Sequence, residues 1–243
     1  MQQYKAVIAY DGSAFCGFAL QKHKKSVLGA LQEAFLRVGI SGEILGASRT
    51  DKGVHATAQV ISFHNAHIHT YDKHFLLSLL NTKLYPHIMI RSLHKVNSHF
   101  HPRFDAKWRA YRFLLSNKRP SPFASAYVSY EKIGDLSRFC AALNLFKGTH
   151  NFTFFKKNGS YTKDDMREIF NIRFYHYQDM GVVYMRGNGF LRSQVRLMVG
   201  AALSVSRGEM SLINLKEQLL AKKQYYHYPI APQGLYLCGV GYE

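Results

Sequence analysis

The chain has 243 residues, of which 47% are hydrophobic and 14% aromatic, so it can form packed cores in one large domain or two small ones. Lysine and arginine number 32 against 15 acidic residues, which gives a formal net charge of +17. This charge favours a polyanionic partner such as nucleic acid. The sequence shows no basic amphipathic helix that would bind an anionic membrane surface. A basic protein without a nucleic acid partner stays open as the plainer alternative.

The first part of the chain predicts the order strand, helix, strand, helix, strand. Apolar residues in its two helical stretches recur with the 3.6-residue period of an amphipathic helix, and Ser26 can cap the first helix, which Gly39 suits at its end. The predicted strands cover 4–10, 59–63 and 87–96, and the predicted helices cover 27–38 and 71–84. The apolar face of the second helix comprises Phe75, Leu76, Leu79 and Leu80.

The second part follows a similar rhythm. Its predicted elements are a strand at 108–115, a helix at 135–146, a hairpin of 168–178 and 182–187, helices at 190–205 and 211–221, and a closing strand at 234–242. We therefore predict an α+β fold of two similar α/β subdomains, residues 1–104 and 105–243, with mostly antiparallel sheets. The subdomains are expected to join around a central basic active-site cleft, because clefts between two halves are common ligand sites.

The cysteines and the N-terminus indicate the compartment. Cys16, Cys140 and Cys238 lie far apart and fit neither a disulfide framework nor zinc-site spacing, so a reducing cytosol is expected. The first residues lack the basic start and apolar core of a signal peptide. The longest apolar run, 197–205, is too short to span a bilayer. We therefore expect a cytoplasmic protein.

The segment RTDKGVHA, residues 49–56, lies between two apolar strands. Asp51-Lys52-Gly53 has good turn chemistry, because an aspartate side chain can bond its own backbone and glycine tolerates positive φ. A simple turn is therefore the plain interpretation of this segment. A catalytic loop is compatible with it, since catalytic groups often lie on loops held by rigid strands.

RTDKGVHA also resembles the signature loop of the TruA family of pseudouridine synthases. Five other segments resemble blocks of that family in the family's order, and together they cover nearly the whole chain. They are YDGSAFCGFALQ at 10–21, FHPRFDAKWRAYRFLL at 100–115, GTHNFTFF at 148–155, FLRSQVRLMVGAAL at 190–203 and APQGLYLCGVGY at 231–242.

The resemblance implies roles for particular residues. Asp51 corresponds to the catalytic nucleophile, Arg196 to the arginine that pairs with it, and Tyr111 to the tyrosine that packs against the target base. Arg49 and Leu235 are placed with Tyr111 as substrate-binding residues. From the residues alone, Tyr111 could equally be a core aromatic of a strand, and Arg196 a surface or phosphate-binding arginine. Arg49 either fills the space of a flipped base or holds a phosphate.

These residue types suit the chemistry that the family performs. Pseudouridine formation breaks the N1–C1′ bond of uridine and remakes it through C5, and a carboxylate can act as covalent catalyst. Burial would raise the pKa of that carboxylate, whereas a nearby guanidinium would lower it. An aromatic ring offsets part of the cost of flipping the base. The resemblance further implies uridines 38, 39 and 40 of the tRNA anticodon stem-loop as substrates, a homodimer, no cofactor and no metal.

The sequence departs from the family pattern at three places without removing a catalytic group. Ser48 stands where the family often has glycine, Lys52 where bacterial members often have alanine, and Phe18-Ala19-Leu20 where a tryptophan-containing stretch is usual. A basic track for RNA is expected from nine side chains. They are Lys22, Lys24, Lys25, Arg103, Lys107, Arg109, Lys156, Lys157 and Arg192.

Other functional classes fit the sequence less well. Two histidine groups make a metal site conceivable, but HExxH and Cys/His finger spacings are absent. The groups are His64, His67 and His69, and His94, His99 and His101. A catalytically silent RNA-binding protein would share the charge and the aromatic content, although it would not need Asp51, Tyr111 and Arg196 in these contexts. A metal-dependent nuclease would need clustered carboxylates, and the acidic residues here are scattered.

Overall fold

The computed structural model describes residues 2–65, 72–157, 159 and 164–243. In these parts of the chain, ten strands and five α-helices form an α+β fold with mostly antiparallel pairing, which confirms the predicted fold class. The chain divides into two compact units, one of Met1–Lys107 with Tyr236–Glu243 and the other of Trp108–Leu235. A division along the sequence at residue 105 does not include this return of the last residues to the first unit.

The sheet of the first unit is built around β1. This strand lies between β3 and β4 and is antiparallel to both, while β2 pairs antiparallel with the other edge of β3. The strands are β1 (Gln2–Tyr10), β2 (Ile44–Gly46), β3 (His55–Asn65), β4 (Ile88–Val96) and β10 (Leu235–Gly241). The closing strand β10 runs parallel to β3, with Tyr236 opposite His55. The start of β3 is therefore held by the end of the chain.

The first unit has two α-helices, α1 (Val27–Leu36) and α2 (Lys73–Leu84). The Ser26 hydroxyl accepts a hydrogen bond from the main chain of α1, as the predicted cap requires. Helix α2 buries Leu76, Leu80 and Leu84, whereas Phe75 is 56% exposed. The prediction that Phe75 belongs to the buried face is wrong, because the helix buries an i, i+4, i+8 stripe that Phe75 flanks. Residue 71 of the predicted helix lies outside the described residues.

The second unit has an antiparallel sheet in the order β5-β9-β8-β7, and β6 runs parallel to β5. The strands are β5 (Trp108–Ser116), β6 (Ser129–Tyr130), β7 (Gly148–Asn151), β8 (Met166–Tyr177) and β9 (Met180–Gly187). The predicted hairpin is present as β8 and β9. The short strands β2, β6 and β7 were not predicted, since two to four residues carry too little alternation to be recognised.

The helices of the second unit are α3 (Leu136–Leu145), α4 (Gln194–Ser206) and α5 (Leu212–Leu219). Helix α4 starts four residues later than the predicted 190, because Ser193 adopts a left-handed conformation (φ 60°) that a helix cannot contain. Arg196 is the one residue of α4 that is not buried. The helix is therefore a core element from which a single charged side chain emerges.

Candidate active site

Asp51 lies in the loop between β2 and β3. The loop contains the turn predicted from Asp-Lys-Gly, closed by a hydrogen bond of 3.2 Å from the Val54 amide to the Asp51 carbonyl. Asp51 is half-buried, whereas the preceding Thr50 is buried and Arg49 is exposed. A reactive carboxylate on such a loop is accessible to a substrate while its main chain is anchored.

A second segment of the same unit, residues 10–18, contacts this loop just before Asp51. The Thr50 carbonyl accepts a hydrogen bond from the Phe18 amide at 3.1 Å, and the Thr50 hydroxyl bonds the Tyr10 hydroxyl at 2.8 Å. Gly17 has φ +109°, and a Cβ there would lie 2.9 Å from the Thr50 carbonyl oxygen. Glycine is therefore required for this approach.

The same segment also grips the loop after Asp51. The buried ring of His55 accepts a hydrogen bond at Nδ1 from the Gly12 amide, at 3.0 Å. A Cβ on Gly12 would lie 2.1 Å from the Val54 carbonyl oxygen, so the two backbones are in close contact. The other side of the His55 ring stacks on Tyr236, with centroids 4.7 Å apart and planes at 18°. Contacts from the segment therefore bracket Asp51.

Gln59 fixes the start of the loop. Its fully buried amide donates to the Ser48 carbonyl at 2.6 Å and accepts from the amides of Ser48 and Val60, both at 3.2 Å. The Gln59 side chain thus pairs with the chain as a neighbouring strand would. These bonds use the main chain of Ser48, so the departure from the family's glycine is compatible with them. Arg49 follows directly and projects from a fixed point.

Phe18 is the first residue of Phe18-Ala19-Leu20, the stretch that departs from the family pattern, and it has a structural role. Phe18 is 3% exposed and packs against Tyr10, with ring centroids 6.3 Å apart. The ring of Phe18 also lies against Gly46, the last residue of β2, where an added Cβ would come within 2.4 Å of it. Leu20, in contrast, is 55% exposed. Phe18 thus packs its ring at the end of β2, where the loop that carries Asp51 begins, and its amide bonds Thr50.

Tyr111 and Leu235 are both buried in the second unit. Tyr111 lies on β5 and is 7% exposed, and its ring meets Phe190 edge-on at 5.1 Å between centroids. Leu235 is 5% exposed, and its amide donates to the Pro232 carbonyl at 2.9 Å. Both residues therefore contribute to an apolar core, which is the plainer interpretation of Tyr111 and is also compatible with a wall for a base.

Arg196 lies in the first turn of α4, three positions after the left-handed Ser193. Its Nε donates to the Ile230 carbonyl at 2.7 Å, which orients the guanidinium. The positive end of the helix dipole adds to the charge of the guanidinium at this place. Arg196 is thus a cation held by a main-chain hydrogen bond and suited to an anionic group.

The structure groups the predicted site residues into two sets. Arg49 and Asp51 lie on one loop of the first unit. Tyr111, Arg196 and Leu235 belong to the second unit, on β5, α4 and the start of β10. The roles that the resemblance assigns to these five residues stay predictions.

Sequence patterns did not reveal the residues that hold the loop, namely Tyr10, Gly12, His55 and Gln59. Tyr10 and Gly12 belong to the segment YDGSAFCGFALQ, and His55 belongs to RTDKGVHA. The motifs therefore include these residues but do not indicate that they contact the loop. No local pattern links positions 12 and 55, because their contact is tertiary.

The proposed basic track needs one correction. The Lys156 ammonium bonds the Asp165 carboxylate at 2.5 Å, and the Thr153 hydroxyl donates to the same oxygen. With side chains only 23% and 13% exposed, Lys156 and Asp165 form a structural ion pair. Arg109 is half-buried and donates to the Asn188 carbonyl. The remaining candidates are exposed, and they are Lys22, Lys24, Lys25, Arg103, Lys107, Lys157 and Arg192.

Metal sites and membrane-spanning helices can be assessed for the part of the chain that the structure describes. Within it, no group of three or more His, Cys, Asp or Glu side chains is placed to hold a metal ion. His67 and His69 of the first histidine group lie outside the described residues. Among the described helices, none combines the length and the apolar character that crossing a membrane requires.

Comparison with known proteins gives one family. The family model described as tRNA pseudouridine synthase matches residues 6–105 and 142–243. A relative from Helicobacter hepaticus, named tRNA pseudouridine synthase A, is 64% identical over 100% of both chains. Relatives of the same name are 44% identical in Wolinella succinogenes, over 98% of this chain and 94% of that one, and 43% identical in Campylobacter jejuni, over 100% of both.

Proposed function

The chain belongs to the tRNA pseudouridine synthase family and is an isomerase of tRNA uridine, and we propose that it acts at positions 38, 39 and 40 of the anticodon stem-loop with Asp51 as nucleophile. The observation that carries the proposal is the position of Asp51. It is the half-buried carboxylate of a loop anchored on both sides of it, within the segment that resembles the family's signature.

The proposed reaction uses Asp51 as a covalent catalyst. The Asp51 carboxylate forms a bond to the flipped uridine, and the N1–C1′ bond breaks. The uracil then turns, C5 bonds C1′ and loses its proton, N1 takes up a proton, and the bond to Asp51 breaks to restore the carboxylate. Arg196 is proposed to pair with the Asp51 carboxylate through its guanidinium, because the two groups carry opposite charges. No group is gained or lost, so the reaction needs no external reactant.

Three residues are proposed to bind the substrate. Tyr111 packs against the target base and offsets part of its lost stacking, and Leu235 supplies an apolar contact. Arg49, which is exposed beside Asp51, fills the place of the flipped base or holds a neighbouring phosphate. The formal net charge of +17 is proposed to attract the phosphates of the tRNA.

The charge proposal is tested by the salt dependence of tRNA binding. Neutralising about 6–10 phosphates lowers affinity roughly 10³–10⁵-fold between 50 and 200 mM salt for duplex DNA, and somewhat less for RNA. We expect a steep linear dependence of log affinity on log salt. Nearly constant affinity over this range would contradict an electrostatic track.

The positions are tested with transcripts of one tRNA that carry a single uridine at 38, 39 or 40, with cytidine at the other two. Pseudouridine is located by carbodiimide modification and primer extension, and its yield is measured over time. We expect product in all three transcripts and none in a fourth that has uridine only elsewhere in the anticodon arm. Product in the fourth transcript, or in none of the first three, contradicts the assigned positions.

A homodimer and a cytoplasmic location are proposed on the resemblance to the TruA family. Sedimentation equilibrium on the purified protein separates the two oligomeric outcomes, since the mass of one chain is 27.8 kDa. Twice this mass supports the dimer at concentrations used for activity. A single-chain mass at those concentrations, with full activity, contradicts the need for a dimer.

A further inference from the structure

The first unit contains a buried histidine, His55, that the proposed reaction does not use. His55 lies four positions after Asp51 in the signature segment, and its ring is 2% exposed. One face of the ring stacks on Tyr236, and Nδ1 accepts the Gly12 amide hydrogen at 3.0 Å. The ring is thus held by one hydrogen bond and one stacking contact, and it is a candidate for holding the loop of Asp51 in place.

We propose that His55 is a positioning residue, which fixes the carboxylate of Asp51 by accepting the Gly12 amide at Nδ1. The proposal rests on the proposed role of Asp51 as nucleophile. His55 acts through the main chain: its ring holds Gly12, Gly12 abuts the Val54 carbonyl, and the Val54 amide closes the turn on the Asp51 carbonyl. A shift of the ring therefore reaches Asp51 through main-chain atoms alone.

The hydrogen bond fixes the protonation state of the ring. A main-chain amide only donates, so Nδ1 must carry a lone pair, and the proton of neutral His55 is on Nε2. The carboxylate of Asp11 lies 3.3 Å from the same Nδ1. It already accepts from the amide and the hydroxyl of Ser13, at 2.9 and 2.6 Å. Asp11 thus shapes the turn that points the Gly12 amide at the ring.

The proposed role needs only Nδ1 of the ring. Substitutions by Asn and Gln can distinguish the contribution of Nδ1 from that of Nε2. The oxygen of Asn reaches the place of Nδ1, whereas the amide of Gln reaches the place of Nε2. His55→Asn therefore keeps an acceptor for Gly12, and His55→Gln removes it. His55→Phe keeps an aromatic ring against Tyr236 but has no acceptor. All three variants remove an imidazole, so their differences isolate the acceptor at Nδ1.

The test measures single-turnover pseudouridine formation at saturating tRNA, tRNA affinity and thermal stability for the wild type and the three variants. Misplacing a catalytic group by an ångström lowers the rate about 10²-fold, and this is the loss expected for the Gln and Phe variants. The Asn variant is expected to keep most of the rate. Affinity for tRNA should be unchanged in all three, because the exposed basic side chains are untouched.

The outcomes separate this proposal from the proposed function. A wild type without turnover contradicts the proposed function, whatever the variants do. An active wild type with equal losses in the Asn and Gln variants, or with no loss in either, overturns the role of Nδ1. If the Gln and Phe variants unfold while the Asn variant folds, and the Gly12 amide of the wild type is protected from exchange, the proposal is supported. Unfolding of the Asn variant as well, or rapid exchange of the Gly12 amide, overturns it.

Discussion

The two regions that carry the proposed catalytic residues are built in different ways. Asp51 lies on a loop whose flanking residues are hydrogen-bonded to residues 10–18. The Phe18 amide and the Tyr10 hydroxyl bond the carbonyl and the hydroxyl of Thr50, and the Gly12 amide bonds the His55 ring. Arg196 emerges from α4, a helix whose other residues are all buried. The first region depends on a few directional polar contacts, whereas the second depends on broad apolar packing.

This difference predicts how each region responds to substitution. A loop held by single hydrogen bonds is displaced when one of them is lost, so rate constants should fall. Stability should fall as well where the lost bond leaves a buried polar group without its partner. A side chain on a packed helix keeps its position when neighbours change, so only its own charge and donors should matter. The following predictions test this contrast within the two regions, in order of decreasing effect.

Replacement of Arg196 should give the largest of these effects. Arg196→Gln removes the cation and is expected to lower the single-turnover rate about 10²–10³-fold, as loss of a preorganised charge-stabilising group does. Arg196→Lys keeps the charge without the planar donors and should retain an intermediate rate. Thermal stability should stay close to that of the wild type, since the rest of α4 is unchanged.

The matched control is Arg138→Gln, which removes an exposed arginine of α3 in the same unit. It should react at the wild-type rate. Equal rates for the Arg196→Gln variant and this control would contradict the role proposed for Arg196.

Gly12→Ala should have the next largest effect. Its Cβ would meet the Val54 carbonyl oxygen at 2.1 Å, and two main-chain segments must separate to admit it. We expect a rate about 10²-fold lower at saturating tRNA, because the loop of Asp51 moves with Val54. Gly189→Ala is the control, since its Cβ would have ordinary contacts of 3.6 Å or more. A Gly12→Ala enzyme with the wild-type rate would show that the loop tolerates displacement.

The Tyr10–Thr50 pair should have a moderate effect that appears in stability. Tyr10→Phe leaves a buried hydroxyl without this partner and should cost about 1–3 kcal/mol, while replacing both partners by apolar groups is closer to neutral. In urea denaturation, the double variant Tyr10→Phe with Thr50→Val should therefore be less destabilised than the sum of the single variants. Strict additivity would mean that the hydroxyls do not interact in solution.

The smallest effect is expected at Glu131, which lies 3.7 Å from Arg207 in the second unit. Burial raises the pKa of Glu131, although the Arg207 charge lowers it in part. The pKa of Glu131 is therefore higher in the folded state than in the unfolded state. Its contribution to stability is present below the unfolded-state pKa and is lost as the pH rises through the folded-state pKa. Glu131→Gln should therefore raise the melting temperature at pH 7 by up to about 2 °C, roughly half a kcal/mol, and less at pH 4. The prediction is wrong if the melting-temperature gain of Glu131→Gln over the wild type is smaller at pH 7 than at pH 4.

Local sequence patterns predicted the elements that depend on local chemistry. The Ser26 cap, the β8–β9 hairpin and the Asp51 turn follow from residues next to one another, and all three are present. The position of Phe75 and the start of α4 were missed, because the first depends on which stripe meets the core and the second on the φ of Ser193.

The candidate site divides along the same line. The RTDKGVHA motif alone places Asp51 and Arg49 in one loop, because the two residues are neighbours in the sequence. The bond from Gly12 to His55 joins residues 43 positions apart, and the clamp of Gln59 on Ser48 joins main chain to a buried amide across 11. Neither pairing has a local pattern, so only tertiary structure reveals what holds the loop.

The most direct test of the account is tritium release from [5-³H]uridine-labelled tRNA by the wild type and Asp51→Asn, measured with tRNA binding and without added metal. C5 loses its hydrogen only when the new carbon–carbon bond forms. We predict release by the wild type, a rate more than about 10³-fold lower for Asp51→Asn, and equal tRNA affinity for both. Comparable release by both proteins would contradict Asp51 as nucleophile, and loss of binding together with release would show that Asp51 serves tRNA binding or folding.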